Sequence, residues 1–184
     1  KMPLPVFDGV DIFEDEGLDH GDDGFDRCVT RIAKAVGADM RADTAGEADF
    51  TFGNVQKLVN MTAKHFYVMT RMASLGIESQ THDHQAWFES KESGRWRFRN
   101  CHCPMDSARI AKVRKAYKSR GKNPELLDGF PDDLVWSQIV FKDTDDRHSL
   151  DHYYRFQAMV AELAAAEGLL PVEYDILHWN GTGD

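Results

Sequence analysis

A chain of 184 residues with 42% apolar and 29% charged residues can bury one sizeable core and is too apolar to be disordered. No run approaches ~18 consecutive apolar residues, which excludes a membrane-spanning helix. The acidic start, with Pro3 and Pro5, does not read as a signal peptide, and Met2 reads as the native first residue. Three cysteines, an odd number, argue against a disulfide scaffold and for a reducing, cytoplasmic setting.

The net charge of −9 argues against a uniformly basic nucleic-acid binder, but the charge is unevenly spread. Residues 1–50 carry net −8, residues 51–90 balance, residues 91–122 carry +9 and residues 123–184 carry −10. A cationic island between two acidic arms reads either as a polyanion-binding face or as a surface that packs against the arms.

Residues 8–26 form an acidic, irregular lead-in without the spacing of a calcium loop. Phe25, Val29, Ile32, Ala33 and Val36 recur at helical spacing before Gly37. Asn54 is expected to cap a second helix that runs to about Leu75. Residues 77–100 lose the helical period, and 86–90 and 95–99 flank Ser93-Gly94 as a predicted hairpin insertion. A helix is expected over 107–119, with Ile110, Val113 and Tyr117 on one side. Residues 132–141 suit helix or strand. A strong helix over 149–167 turns Tyr153, Phe156, Val160 and Leu163 inward and stops at Gly168, and Pro171 opens a last short helix. The expected fold is mainly α: a single domain over 1–184, with five to six helices and one small β-hairpin.

On a helical wheel the second helix has a broad apolar side with Val55, Leu58, Val59, Met61, Thr62, Phe66, Met69, Met72 and Ala73. Lys57, Asn60, Lys64, Tyr67 and Arg71 form a narrow opposite stripe. A solvated face is the ordinary reading of such a stripe. This one contains no acidic residue, so any partner for its lysines lies elsewhere.

His82, His84, Cys101, His102 and Cys103 bracket the predicted hairpin with soft ligand atoms that suit zinc. Their spacing matches no zinc-finger pattern, and no metal or other cofactor is expected. His148 and His152 lie one helical turn apart without a matching acidic pair. Asp106 suits the cap position of the helix that follows it.

Four segments together resemble an uncharacterised family of short bacterial proteins. Residues 52–66, FGNVQKLVNMTAKHF, match a block of the form FGxxQKxxNMxxK, and His102-Cys103-Pro104-Met105-Asp106-Ser107 matches HxPxDS. Trp136-Ser137 and the Tyr153-Tyr154-Arg155-Phe156-Gln157 run follow in order. That resemblance carries no activity. A weaker one is to archaeal 8-oxoguanine DNA glycosylases of the helix-hairpin-helix type, though their GxG loop is not found here. It implies that Lys57 or Lys64 serves as the nucleophile, with Asp106 of Pro104-Met105-Asp106 supplying the carboxylate and His102 assisting.

A lysine attacks an anomeric carbon only when neutral, and nearby cations favour that form. Trp87, Trp96 or Trp136 would stack on a base. The resulting expectation is a nucleic-acid- or nucleotide-interacting protein, including a glycosylase-like enzyme that uses Lys57, Lys64, Asp106 and His102. Gln56, Asn60, Arg71, Trp136, Arg97, Lys112 and Lys115 are the expected ligand-binding residues, the last three in the basic island. One alternative is a metal-dependent hydrolase built on His82, His84 and His102, although Gln80-Thr81 is too polar for a buried HD helix. The other is a non-enzymatic interaction module.

Overall fold

The computed structural model describes residues 51–74, 98–140 and 149–178, together with Val29, Arg31, Ile32 and Ala35, which are helical. Four complete α-helices follow: α1 (Phe52–Ser74), α2 (Ser107–Arg120), α3 (Leu150–Ala166) and α4 (Pro171–His178). Two 3-10 turns, Pro124–Leu126 and Trp136–Gln138, lie between α2 and α3. Among the described residues there is no strand. The predicted hairpin lies outside them, except that residues 98–100 form a turn closed by Cys101 N–H on Phe98 O at 3.1 Å. Among the described residues no helix is long and apolar enough to cross a membrane.

The later helices begin and end where local chemistry directs. Asp106 caps α2 by accepting the Arg109 N–H at 3.0 Å, and Ser149 caps α3 by accepting the Asp151 N–H at 3.1 Å. Gly168, with φ of 70°, lets the chain leave α3 through the left-handed region. The short α4 starts on Pro171, and Glu173 folds back to accept the Leu170 N–H at 2.8 Å. Residues 132–141, ambiguous in sequence, contain the 3-10 turn at Trp136–Gln138.

α1 departs from expectation at both its start and its rotation. Thr51, rather than Asn54, is the cap: its hydroxyl accepts the Asn54 N–H at 3.3 Å, and the helix begins at Phe52. Its buried side chains are Phe52, Val55, Gln56, Asn60, Ala63 and Tyr67, while Leu58 and Met69 of the expected apolar side are exposed. The polar stripe therefore borders the interior, because partners for it exist there.

α3 is the central support. α2, α4 and the Pro124–Leu126 turn all pack on it, while α1 packs on the Trp136–Gln138 turn. Phe52, Phe98, Met105, Ile139, Tyr153, Phe156 and Met159 are among the largest fully buried side chains. Phe52 and Tyr153 meet edge to face at 4.9 Å, joining α1 to α3.

Gly53 allows the close approach of α1 to its turn. Its N–H reaches Ile139 O at 3.0 Å. A Cβ there would sit 1.8 Å from the Trp136 carbonyl oxygen. Gly53→Ala should therefore destabilise by about 1–3 kcal/mol through overpacking, although alanine favours a helix by about 1 kcal/mol. A lower urea midpoint at unchanged slope would register this.

Candidate functional site

Residues 101–106 run in irregular conformation beside α1 and α3, and Cys101, Cys103, Pro104 and Met105 are buried. Buried backbone without a ladder must find hydrogen-bond partners elsewhere. Two glutamines supply them. Gln157 of α3 accepts the Cys103 N–H at 2.9 Å and donates to Cys103 O at 2.8 Å. Gln56 of α1 accepts the Met105 N–H at 3.2 Å and donates to Met105 O at 2.9 Å. Pro104, between them, has no N–H to satisfy.

This clamp delivers Asp106 to the start of α2, facing α1. Its carboxylate lies 3.4 Å from Lys57 Nζ and 2.5 Å from Arg109 Nη1. Arg109 Nε lies 2.5 Å from Oδ1 of Asp175 in α4, and Lys64 Nζ lies 2.6 Å from Oδ2 of the same carboxylate. Lys57, Asp106, Arg109, Asp175 and Lys64 thus form one chain of alternating charge. Side-chain exposure falls from 37% at Lys57 and 12% at Asp106 to 2% at Asp175, and is 14% at Lys64.

Burial opposes ionisation of Asp106, yet its carboxyl is held below the usual range. The Arg109 N–H, the Arg109 guanidinium and the Lys57 ammonium together outweigh the desolvation. For Arg109 burial favours loss of the proton, and the bond and charge of Asp175, then Asp106, more than reverse this. Cys103 Sγ lies 3.3 Å from Asp175 Oδ1. Burial first, and then the Asp175 charge, push this thiol well above its ordinary value, so it is no thiolate nucleophile.

A second polar path runs beside the first. Asn60 Nδ2 donates to Gln56 Oε1 at 3.1 Å and to Tyr153 Oη at 3.0 Å. Tyr153 Oη lies 2.6 Å from His102 Nδ1. Among the described residues no hydrogen-bond partner reaches the buried Asn60 Oδ1. At the outer end of the charge chain, Lys57 Nζ sits 4.8 Å from the Trp136 ring centroid.

The structure brings together Lys57, Asp106, Trp136, Gln56, Asn60 and His102 around residues 101–106, with Lys64 joined through Asp175 and Arg109. Arg71 is exposed in the last turn of α1. Lys112 and Lys115 are exposed on α2. Arg97, Trp87, Trp96, His82 and His84 lie outside the described residues. Among the described residues no group of three or more His, Cys, Asp or Glu side chains is placed to hold a metal ion.

Arg109, Asp175, Tyr153 and Gln157 are site residues that the sequence reasoning did not select. A signal was present for one of them: Asp175 follows Val172 by three residues in α4, so a carboxylate shares the inward helical face and demands a cation.

No family model, curated protein or solved structure matches the chain.

Two outcomes follow from the charge chain. Asp175→Ala would leave Arg109 and Lys64 facing each other without their carboxylate, and should destabilise by roughly 3–5 kcal/mol in chemical denaturation. Asp106 acts through pH. A carboxyl held lower in the folded chain than in the unfolded one adds stability above about pH 3.9, the unfolded value. That stability is lost as pH falls through the lower folded value. Asp106→Asn keeps a good cap but removes the charge, so its urea midpoint should fall less between pH 5 and pH 3 than that of the wild type.

Proposed function

We propose that the protein interacts with nucleic acid or nucleotides at the Lys57–Asp106–Trp136 face, as a glycosylase-like enzyme acting on a nucleobase. The observation that carries this reading is the placement of Lys57. Its ammonium group is the most exposed member of the charge chain, 3.4 Å from a carboxylate and 4.8 Å from an indole centroid. Lys64 is the poorer nucleophile, because only 14% of its side chain is exposed and the buried Asp175 holds it at 2.6 Å.

In such a reaction Trp136 offers a face on which a base stacks. Lys57, after giving up a proton, bonds through Nζ to the anomeric carbon as the glycosidic C–N bond breaks. The bonding pair leaves with the base, which takes up a proton. Asp106, held ionised by Arg109, stabilises positive charge at the sugar carbon. His102, half-buried on the same 101–106 segment, is the nearby group suited to carrying protons.

The basic island supports a contact with phosphates, and it divides in two. α2 carries six basic and no acidic side chains. Arg109, Arg114 and Arg120 pair with Asp106 and Asp175, with Asp132 and with Glu167, respectively. Lys112, Lys115 and Lys118 stand exposed on the helix. This exposed row also favours a second reading, a non-enzymatic module that binds a polyanion.

Borohydride trapping on a short single-stranded oligonucleotide carrying a modified purine tests the reading. Lys57 chemistry predicts a covalent adduct that is absent in Lys57→Ala and retained in Lys64→Ala. Affinity should fall steeply with salt, and Lys112→Ala and Lys115→Ala should each lower the salt slope by about one. Salt-dependent binding without an adduct would replace the enzyme by the binding module. No binding at low salt would overturn both.

A further inference from the structure

α2 and α4 both pack on α3, and a cavity of about 180 Å³ lies between them. Its floor is Cys103, Arg109 and Asp175, its walls are Val113, Ala116 and Tyr174, and Lys112, Arg120 and His178 stand at its exposed rim. No charge of this lining is left over for an ion. Arg109 is held by Asp106 and Asp175, Arg120 by Glu167 at 2.7 Å, and His178 Nε2 by the same glutamate at 2.7 Å. Asp175 receives Arg109, Lys64 and the Cys103 thiol. Lys112 is engaged as well. A charged ligand would give up its hydration here without gaining a partner, whereas an uncharged one disturbs no ion pair.

One polar group of the lining keeps bonding capacity. Tyr174 Oη accepts from Arg120 Nη2 at 3.0 Å. A guanidinium has no acceptor to offer in return, so this bond leaves the phenol proton over. Among the described residues no acceptor meets that proton. Burial pushes the Tyr174 phenol above its ordinary value although Arg120 pulls it down, so the hydroxyl stays a donor. Arg120 and Tyr174 both line the cavity, which places the hydroxyl between them at its edge. The Tyr174 ring is fixed from outside by His178, with 4.2 Å between the ring centroids. Apolar walls with one placed polar group are the usual make-up of a small-molecule site. An apolar cavity of ~150 Å³ holds one benzene ring, so the volume here suits a molecule of that size.

We infer that this cavity binds a small uncharged organic molecule, with an apolar body about the size of a single ring and one hydrogen-bond acceptor such as a carbonyl oxygen. The body packs against Val113, Ala116 and the Tyr174 ring, and the acceptor receives the Tyr174 O–H at the edge. The site is separate from the Lys57 face and does not depend on the reaction proposed there.

Calorimetric titration of the full chain with acetophenone, ethylbenzene and benzoate tests the inference. These probes share a ring and differ in carrying a neutral acceptor, no acceptor or a charge. Saturable binding of acetophenone is expected, roughly fivefold tighter than that of ethylbenzene, the worth of one neutral hydrogen bond. Benzoate should bind more weakly than acetophenone. Tyr174→Phe should erase the preference for acetophenone over ethylbenzene while ethylbenzene binding persists. Ala116→Leu fills the cavity without touching Tyr174 and should weaken both at least roughly tenfold. Lys57→Ala should leave binding intact, which separates this site from the proposed enzymatic one. No saturable acetophenone binding, benzoate bound as tightly as acetophenone, or binding undiminished in Ala116→Leu would overturn the inference. So would a preference for acetophenone that survives in Tyr174→Phe.

Discussion

An irregular segment buried beside helices has no ladder of its own, and the rest of this structure depends on how residues 103–105 meet that need. Leaving a buried N–H or C=O unpaired costs about 1–3 kcal/mol. Gln56 and Gln157 each offer an acceptor and a donor on one planar amide, the same pair that a neighbouring strand would present. Each therefore serves both backbone groups of one residue. Satisfying them requires the faces of α1 and α3 that bear these glutamines to turn inward. The rotation of α1 follows from this, and with it the direction of Lys57, Asn60 and Lys64.

The clamp also orders the polar groups behind it. Gln56 Nε2 must face the carbonyls of Gly53 and Met105, so its Oε1 faces the Met105 N–H. Asn60, one turn on, can then approach Gln56 only with its amino group. The same amino group reaches Tyr153, and Tyr153 reaches His102. One choice of amide orientation, made by the backbone, thus runs through three further side chains to a half-buried imidazole.

The later helices were legible because their signals are local. Asp106, Ser149, Gly168 and Pro171 act on groups within a few residues of themselves. The apolar positions of α2 and α3 read correctly for the same reason. α1 is legible only in part because its inward face mixes Phe52, Val55 and Ala63 with Gln56 and Asn60: a wheel assigns Leu58 and Met69 to the core and Asn60 to water. The compensating partners are far away in the chain. Lys64 and Asp175 are 111 positions apart, Arg109 and Asp175 are 66 apart, and Asn60 and Tyr153 are 93 apart. The absence of any acid in the stripe of α1 was the one hint that such partners existed. The segments quoted for the family resemblance nevertheless converge in space, with Gly53, Gln56, Lys57, Asn60 and Lys64 from the first, Pro104 and Asp106 from the second, and Trp136, Tyr153 and Gln157 from the later two.

The charge chain explains why arginine stands at position 109. Its guanidinium must reach Asp106 from one nitrogen and Asp175 from two others, in a site where only 6% of the side chain is exposed. A lysine ammonium has compact point-charge geometry and would have to favour one carboxylate. The planar fork serves both, and it ties the first turn of α2 to α4. Each carboxylate then has capacity for one lysine from α1, and those two lysines differ in consequence. Lys64 meets the inner carboxylate and becomes part of the packing. Lys57 meets the outer one, beside Trp136, and keeps its access to water. The same arrangement that draws Asn60 and Lys64 into the interior therefore leaves the Lys57 amine accessible at its outer end.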